Sequence, residues 1–262
     1  MSYQLYHQSI ESATLTYSAT ADTNYPATNM QDRYKNTFLI DTSPGETVYI
    51  IIDFGSARAC SHIILGNYQA NATSDAELNV KYGTADNGSD FENTSLTVNI
   101  ETTGFENYIG TFTSRSKRYW KIQFNNKTGE SPDEFNYLQI GTIYLGTAIT
   151  LSHSPELDVA QSADYLVNVN QGVGGIRSGS IDNTTVRRLW SYPWKLLSET
   201  DKTNLQTFRD SVYMNKDLSR YPFWWSPDTG TTLYYARTKG ALDMKQQAYQ
   251  AWTWNANFEE EL

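Results

Sequence analysis

The stretch ETVYIIIDFGSARACSHIILGNY, residues 46–68, decides the fold class. Within it, VYIIIDF is a short apolar, β-branched run bounded by Pro44-Gly45 and Gly55, the pattern of a buried strand. HIIL follows across a tight turn and is expected to be the neighbouring strand. Strand-like segments recur at LNVKY (78–82), LTVNI (96–100), YWKIQF (119–124) and YLQIGTIYLG (137–146), separated by the turn clusters TADNGSD (84–90) and NNKTGESPDE (125–134). Several short strands without a helical period predict an antiparallel sandwich over about 140 residues.

Past residue 150 the pattern changes. SHSPELDVAQS (152–162) is polar and contains a proline, so residues 151–162 are expected to be a linker between a domain at 1–150 and another at 163–262. YLVNV (165–169) reads as a strand, and the glycines of NQGVGGIRSGS (170–180) mark a turn. RRLWSYPW (187–194) alternates, which puts Arg188, Trp190, Tyr192 and Trp194 on one face of an extended segment. A helix is predicted near 198–214, with Ser198 as N-cap, Glu199 and Asp201 in the first turn, and Leu205, Phe208 and Val212 as its apolar stripe. YPFWW (221–225), LYYAR (233–237) and the closing AYQAWTWNANFEEEL complete a β-rich domain with one prominent helix. In that last segment Trp252, Trp254, Ala256 and Phe258 share a face. The fold class expected is therefore mainly β.

The 262 residues carry 20 basic and 29 acidic side chains, a formal net charge of −9. Nucleic acid and anionic membranes demand a basic face, so neither is an expected partner. Up to residue 150, nine basic residues oppose sixteen acidic ones; beyond it, eleven oppose thirteen, and six of the seven tryptophans lie there. No stretch approaches the roughly 20 apolar residues of a membrane span. MSYQLYHQS at the N-terminus does not read as a secretory leader, so the expected compartment is the cytosol or a particle assembled in it. Sequons begin at Asn71, Asn87, Asn93, Asn126 and Asn183; without a leader they read as by-products of an Asn/Thr-rich sequence.

Catalytic signatures are missing from the sequence. IDFGSAR (52–58) contains Asp-Phe-Gly, but position 53 leaves no room upstream for a kinase glycine loop and lysine, so it reads as a strand ending in a turn. GVGGIRSGS lacks the lysine of a phosphate loop and the spacing of a dinucleotide motif. His7, His62 and His153 are scattered, and the lone Cys60 has no partner for a disulfide or a metal site; buried packing is its expected role. Two carboxylates about 5–10 Å apart would serve a glycosidase, but sequence cannot place them. The expectation is no enzyme, no catalytic residue, no metal ligand and no cofactor.

YPATNMQDRYKNTFLI followed by VYIIIDFGSARACSHIIL resembles the opening of galactose-binding-like, discoidin-type (coagulation factor 5/8 C) jelly rolls. Ala27, Asn29 and Asp32 match that family's turn, Thr37 its threonine, and Asp53-Phe54-Gly55 its strand end. RYWKIQF and FNYLQIGTIYLG look like its closing strands, so the resemblance covers most of 20–150. It implies a jelly roll whose loops contact glycans, with Tyr25, Asp32, Arg33 and Tyr34 as the candidate carbohydrate-binding residues. Two departures count against an inherited sugar site: Arg33 stands where glycine is usual, and Phe38 where tryptophan is usual. The simpler role for Asp32 is to cap a turn, with Arg33 and Tyr34 on a solvated loop. Such jelly rolls often carry a calcium ion on backbone carbonyls, here those of the Asn29–Thr37 loop, although no side-chain pattern calls for one.

RRLWSYPWKLLSETDKTNLQTFRDSVYMNKDLSRYPFWWSPD, then LYYAR and AYQAWTWNANFEEEL, resembles in order the C-terminal part of minor tail and distal-tail-type proteins of long-tailed bacteriophages. That resemblance covers about 187–262. It implies a virion structural component at the tail tip or baseplate, assembled in the host cytoplasm. Its partners would be other tail proteins, further copies of itself in a ring, and a host surface glycan. The alternative is a carbohydrate-binding adhesion module without a ring-forming role. Trp190, Trp194, Trp224, Trp225, Trp252 and Trp254 are expected to serve as core or assembly aromatics. Adjacent strand residues face opposite ways, so Trp224 and Trp225 cannot share one stacking surface. Trp224 is expected to turn inward against Trp190 and Trp252 or Trp254, leaving Trp225 to the helix, a neighbouring subunit or water.

Overall fold

The structure, a computed structural model, describes residues 3–34, 36–41, 47–72, 76–85, 90–100, 104–126, 135–155, 160–171, 177–212, 221–228, 232–239 and 244–261. The Pro44-Gly45 boundary, the turns at 86–89 and 127–134, the glycine-rich 172–176 and the expected helix end at 213–214 lie outside them. The chain forms two compact units, Gln8–Ala148 and a second made of Met1–His7 with Ile149–Leu262. Strand β1 (Gln4–Tyr6) thus belongs with the C-terminal part, where the sequence pattern had grouped it with residues up to 150. Leu5 is buried in the tryptophan-rich core and pairs with Trp225 on one side and Ile149 on the other. Three residues carry no signal for partners so distant in sequence.

The first unit is a jelly-roll sandwich. It contains β2 (Thr14–Tyr17), a short 3-10 helix (Ala27–Gln31), β3 (Leu39–Asp41), β4 (Thr47–Ala72), β5 (Ala76–Gly83), β6 (Glu92–Asn99), β7 (Glu106–Asn126), β8 (Phe135–Ile140) and β9 (Thr142–Gly146). All pairings are antiparallel, in the order β3-β8-β4-β7-β5-β6, with β2 and β9 also on β4. Alternate residues point inward: Val48, Ile50 and Ile52 of β4, Leu78 and Val80 of β5, and Trp120, Ile122 and Phe124 of β7 form one core with Leu138, Ile140, Ile143 and Leu145. Cys60 is fully buried in it, and burial pushes its thiol up to about 12, so it is an inert packing group.

VYIIIDF and HIIL are not paired neighbours. Both lie in β4, and both pair with β7: Ile50 with Ile122 and Ile52 with Trp120 in the first, Ile63 with Gly110 and Ile64 with Ile109 in the second. The expected tight turn is a kink within one long strand. Gly55 there has φ +71°, its N–H donates to Asp53 Oδ1 at 2.7 Å, and the register slips between Asp53 and Arg58. The partner was not legible because ENYIGT (106–111) is too polar to read as a strand. The Asp-Phe-Gly triplet is accordingly a strand bulge, with Asp53 held by Arg118 through two 2.7 Å hydrogen bonds and Arg58 lying 4.1 Å over the Phe54 ring.

The second unit adds β10 (Ile149–Thr150), β11 (Ala160–Gln171), β12 (Arg177–Leu197), α1 (Glu199–Val212), β13 (Phe223–Ser226), β14 (Tyr234–Thr238), β15 (Met244–Ala248) and β16 (Ala251–Glu260). They form an antiparallel sheet in the order β10-β1-β13-β14-β16-β12-β11, with β15 on β16. The expected linker is largely part of this unit: Leu151 is buried, Ser152 hydrogen-bonds Asp201, and β11 starts at Ala160. Helix α1 opens with a capping box. The Asp201 N–H donates to Ser198 Oγ at 3.1 Å, and the Ser198 N–H donates to Asp201 Oδ2 at 3.0 Å. Leu205, Phe208 and Val212 are its buried stripe, and Phe208 meets Phe223 edge-on at 4.8 Å.

Candidate functional site

Two places compete as a recognition surface: the tryptophan-rich segment and the loop end of the jelly roll. In the first, Trp190, Trp194, Trp224, Trp225 and Trp254 are all at most 3% exposed. Trp225, not Trp224, turns toward Trp190 (5.2 Å), Tyr192 (5.1 Å) and Phe258 (5.7 Å). The reason is parity: Phe223 must meet α1 and Phe258, and Trp225 shares its face. Trp224 lies on the opposite face against Tyr235, 4.6 Å away, and is equally buried. Trp252 is half-buried; its Nε1–H donates to Glu199 at 2.7 Å and the Lys202 ammonium lies 4.0 Å over its ring. These rings form a core, and none of the six is an open stacking surface. A cleft of about 400 Å³ reaches Trp190 and Phe258 beside Ala160, Leu189, Lys239 and Asn257, and both rings are at most 3% exposed.

The jelly-roll end is built differently. Pro26, in extended conformation, starts the 3-10 turn, and Asn29 Nδ2 donates to the Phe38 carbonyl at 2.9 Å. The Asp32 carboxylate accepts the Tyr34 N–H at 2.9 Å and sits 2.5 and 2.6 Å from the Thr37 hydroxyl, an Asx turn. Its carbonyl accepts from Thr142 at 3.4 Å. Arg33 is not on a solvated loop: it is 9% exposed and its Nε donates to Glu11 at 3.1 Å, because the turn directs it back under the loop toward the segment before β2. Asp32 and Arg33 are therefore braces. Tyr34 is left 47% exposed.

Neighbouring loops converge on the same end. Gly141 N–H donates to the Gly66 carbonyl at 3.1 Å, and Asn67 N–H, at a residue with φ 52°, donates to Asn107 Oδ1 at 2.8 Å. Phe38 stacks on Phe105 with centroids 6.3 Å apart, and Phe105 is 58% exposed. Phe38 and Phe105 thus meet across loops 32–38 and 104–107, and Tyr34 is exposed on the first of them. Tyr25 (41% exposed) lies to one side, next to Tyr137, whose hydroxyl is pushed up by burial and then by Tyr25. Of the four residues proposed from sequence, only the tyrosines offer accessible rings. Phe105 carried no sequence signal, since one aromatic after a glycine before a polar strand matches no period.

Among the described residues of the Asn29–Thr37 loop, the Asp32 carboxylate accepts from Tyr34 and Thr37 and the Tyr34 carbonyl accepts from Thr37, so these oxygens are already engaged within the loop. Among the described residues no group of three or more His, Cys, Asp or Glu could hold a metal ion. No helix among them is long and apolar enough to cross a membrane.

No protein-family model matches the chain, and no curated protein matches it. Several solved structures are similar to its jelly-roll part. A chitosan-binding module from a chitosanase/glucanase of Paenibacillus sp. IK-5 is 15% identical, with TM-score 0.42, covering 54% of this chain and all of that one. CBM32-1 from a family 31 glycoside hydrolase of Clostridium perfringens is 13% identical, with TM-score 0.43, covering 54% and 99%. A pectin-binding carbohydrate-binding module is 12% identical, with TM-score 0.39, covering 51% and 89%.

Proposed function

We propose that the chain is a non-enzymatic glycan-recognition protein whose jelly-roll unit contacts sugar at the loop end carrying Tyr34, Phe38 and Phe105, with Tyr25 at its flank. The observation that carries this reading is the pairing of exposed rings with a loop locked by Asp32–Thr37 and Arg33–Glu11. Sugars present apolar C–H faces to aromatic rings, and a loop ordered before binding spares the entropy of ordering it. Asp32 serves the loop through Tyr34 and Thr37 rather than facing a ligand. The joint replacement Tyr34→Ala with Phe105→Ala is expected to weaken binding at least about tenfold while leaving the melting temperature near wild type. A glycan array followed by titration checks it, and undiminished binding by the double variant overturns the site.

A second reading, compatible with the first, makes the chain a component of a phage tail tip or baseplate that docks through its tryptophan-rich unit. What favours it is that the motif series of 187–262 is realised as one sheet, with β12, β13, β14 and β16 joined in register and α1 covering Phe223. Mass spectrometry of purified virions tests it, and absence of the polypeptide there removes it.

A further inference from the structure

Core and outward residues alternate along β4, β5 and β7, so the outward face is defined by register. One row across it reads Ile51, Lys121, Lys81; the next reads Tyr49, Gln123, Asn79, Thr97. Lys81 and Lys121 are directly opposed on adjacent strands, an arrangement that destabilises a sheet. Among the described residues neither ammonium has a carboxylate at ion-pair distance. This occurs in a unit where nine basic residues face sixteen acidic ones, so carboxylates to relieve the pair were plentiful.

Lys121 is held by rings instead. Its Nζ lies 4.0 Å over Tyr49 and 5.9 Å from Phe91, which orients the charge without neutralising it. Burial, and then Lys81, hold its pKa below the ordinary lysine value. Beside the pair, Gln123 gives its Nε2–H to Asn125 at 2.6 Å, while its Oε1 is buried with no donor. Two uncompensated cations adjoining an unmet acceptor are the complement of a ligand with an acid group beside hydroxyl donors.

We propose that this sheet face, with Lys81 and Lys121 as paired anion ligands and Gln123 and Tyr49 beside them, binds the acid group of an anionic sugar. The proposal rests on reading the jelly roll as a glycan-recognition unit, but at a site separate from Tyr34 and Phe105. The shared chemistry is a carboxylate or a sulfate on a sugar ring. One pair of opposed ammonium groups matches a single acid group on a sugar rather than the run of phosphates that a nucleic acid presents.

The test is titration calorimetry of the full chain with polyglucuronate, dextran sulfate and neutral dextran at low and high salt. Wild type is expected to bind one or both acidic polymers with an affinity that falls as salt rises. The double variant Lys81→Gln with Lys121→Gln should lose about tenfold or more of it, and Lys81→Arg with Lys121→Arg should retain it. A melting curve at or above wild type for the glutamine variant, from which the like-charge pair has gone, excludes misfolding. Loss with polyglucuronate alone names a uronate, with dextran sulfate alone a sulfate ester, and with both the common anionic chemistry. Equal binding of both acidic polymers by wild type and the glutamine variant overturns the sheet-face site. If wild type binds array glycans through Tyr34 and Phe105 but neither acidic polymer, this inference alone falls. If lysine-dependent binding is seen and Tyr34 and Phe105 prove indifferent on every array glycan, the loop-end reading alone falls.

Discussion

Trp225→Ala is expected to destabilise the tryptophan-rich unit by about 3–5 kcal/mol, the usual range for truncating a large buried aromatic. The ring is 1% exposed and lies within 6 Å of Trp190, Tyr192, Tyr234 and Phe258. Its removal opens a void at the meeting point of β12, β13, β14 and β16, where rings on four strands cannot all collapse inward. Against a typical domain stability of roughly 5–15 kcal/mol, that is enough to leave the unit marginal. Trp225→Phe separates the contributions. The indole Nε1–H is buried without an acceptor, so phenylalanine keeps most of the apolar area and relieves an unmet donor. It should cost less than about 2 kcal/mol. Urea unfolding followed by far-ultraviolet circular dichroism measures both, and an alanine variant within 1 kcal/mol of wild type, roughly the effect of a surface change, would contradict the buried role.

Asp201→Ala is expected to cost about 2–4 kcal/mol, because one carboxylate completes the capping box and ties residue 152 to the helix. It accepts from the Ser198 N–H and hydroxyl at 3.0 and 2.7 Å, from the Ser152 N–H at 3.0 Å, and from the Ser152 hydroxyl, while only 3% of the residue is exposed. Burial by itself raises the pKa of this carboxyl; the hydrogen bonds from Ser152 and Ser198 outweigh that and hold it below the ordinary aspartate value. A group depressed in the folded state contributes stability above its unfolded pKa and loses that contribution as pH falls through the folded value. The unit should therefore weaken below about pH 4, where unfolded aspartate begins to take up its proton. Asp201→Asn should be weaker at neutral pH and show a shallower acid limb. Equilibrium unfolding from pH 7 to 3 checks this, and superimposable pH profiles for the two proteins would show that the carboxylate charge is not used.

Much of the second unit was legible because its signals are local. Ser198 three residues before Asp201 is a cap by spacing alone, and Leu205, Phe208 and Val212 lie on one stripe whatever surrounds them. The alternation of Trp252, Trp254, Ala256 and Phe258 likewise put the four on one face; Trp254, Ala256 and Phe258 are at most 1% exposed, while Trp252 is half-buried. The side of Trp225 was not legible. Parity separates it from Trp224, but only the position of α1 over Phe223 decides which of the two meets Trp190.

In the jelly roll the aromatic and acidic residues of 25–38 were visible, and their roles were not. Arg33 looks like a loop cation until Glu11, far back along the chain, is found beneath it. Asp32 could be read as a turn cap from its own neighbours, since Tyr34 and Thr37 are within five residues. Phe105 and the Lys81–Lys121 pair became visible only through loop convergence and cross-strand register.

By itself the sequence determined a mainly β chain, one capped helix, a change of character near residue 150 and a tryptophan-rich final third, because strand period, helix period and capping act over a few residues. Tertiary structure alone decided that β1 joins the C-terminal sheet, that residues 47–72 run as one bent strand along β7, and which rings are covered. Those outcomes depend on pairings between distant segments. A residue pattern states which face is apolar, but the partner that covers it is chosen by the packing of the whole unit.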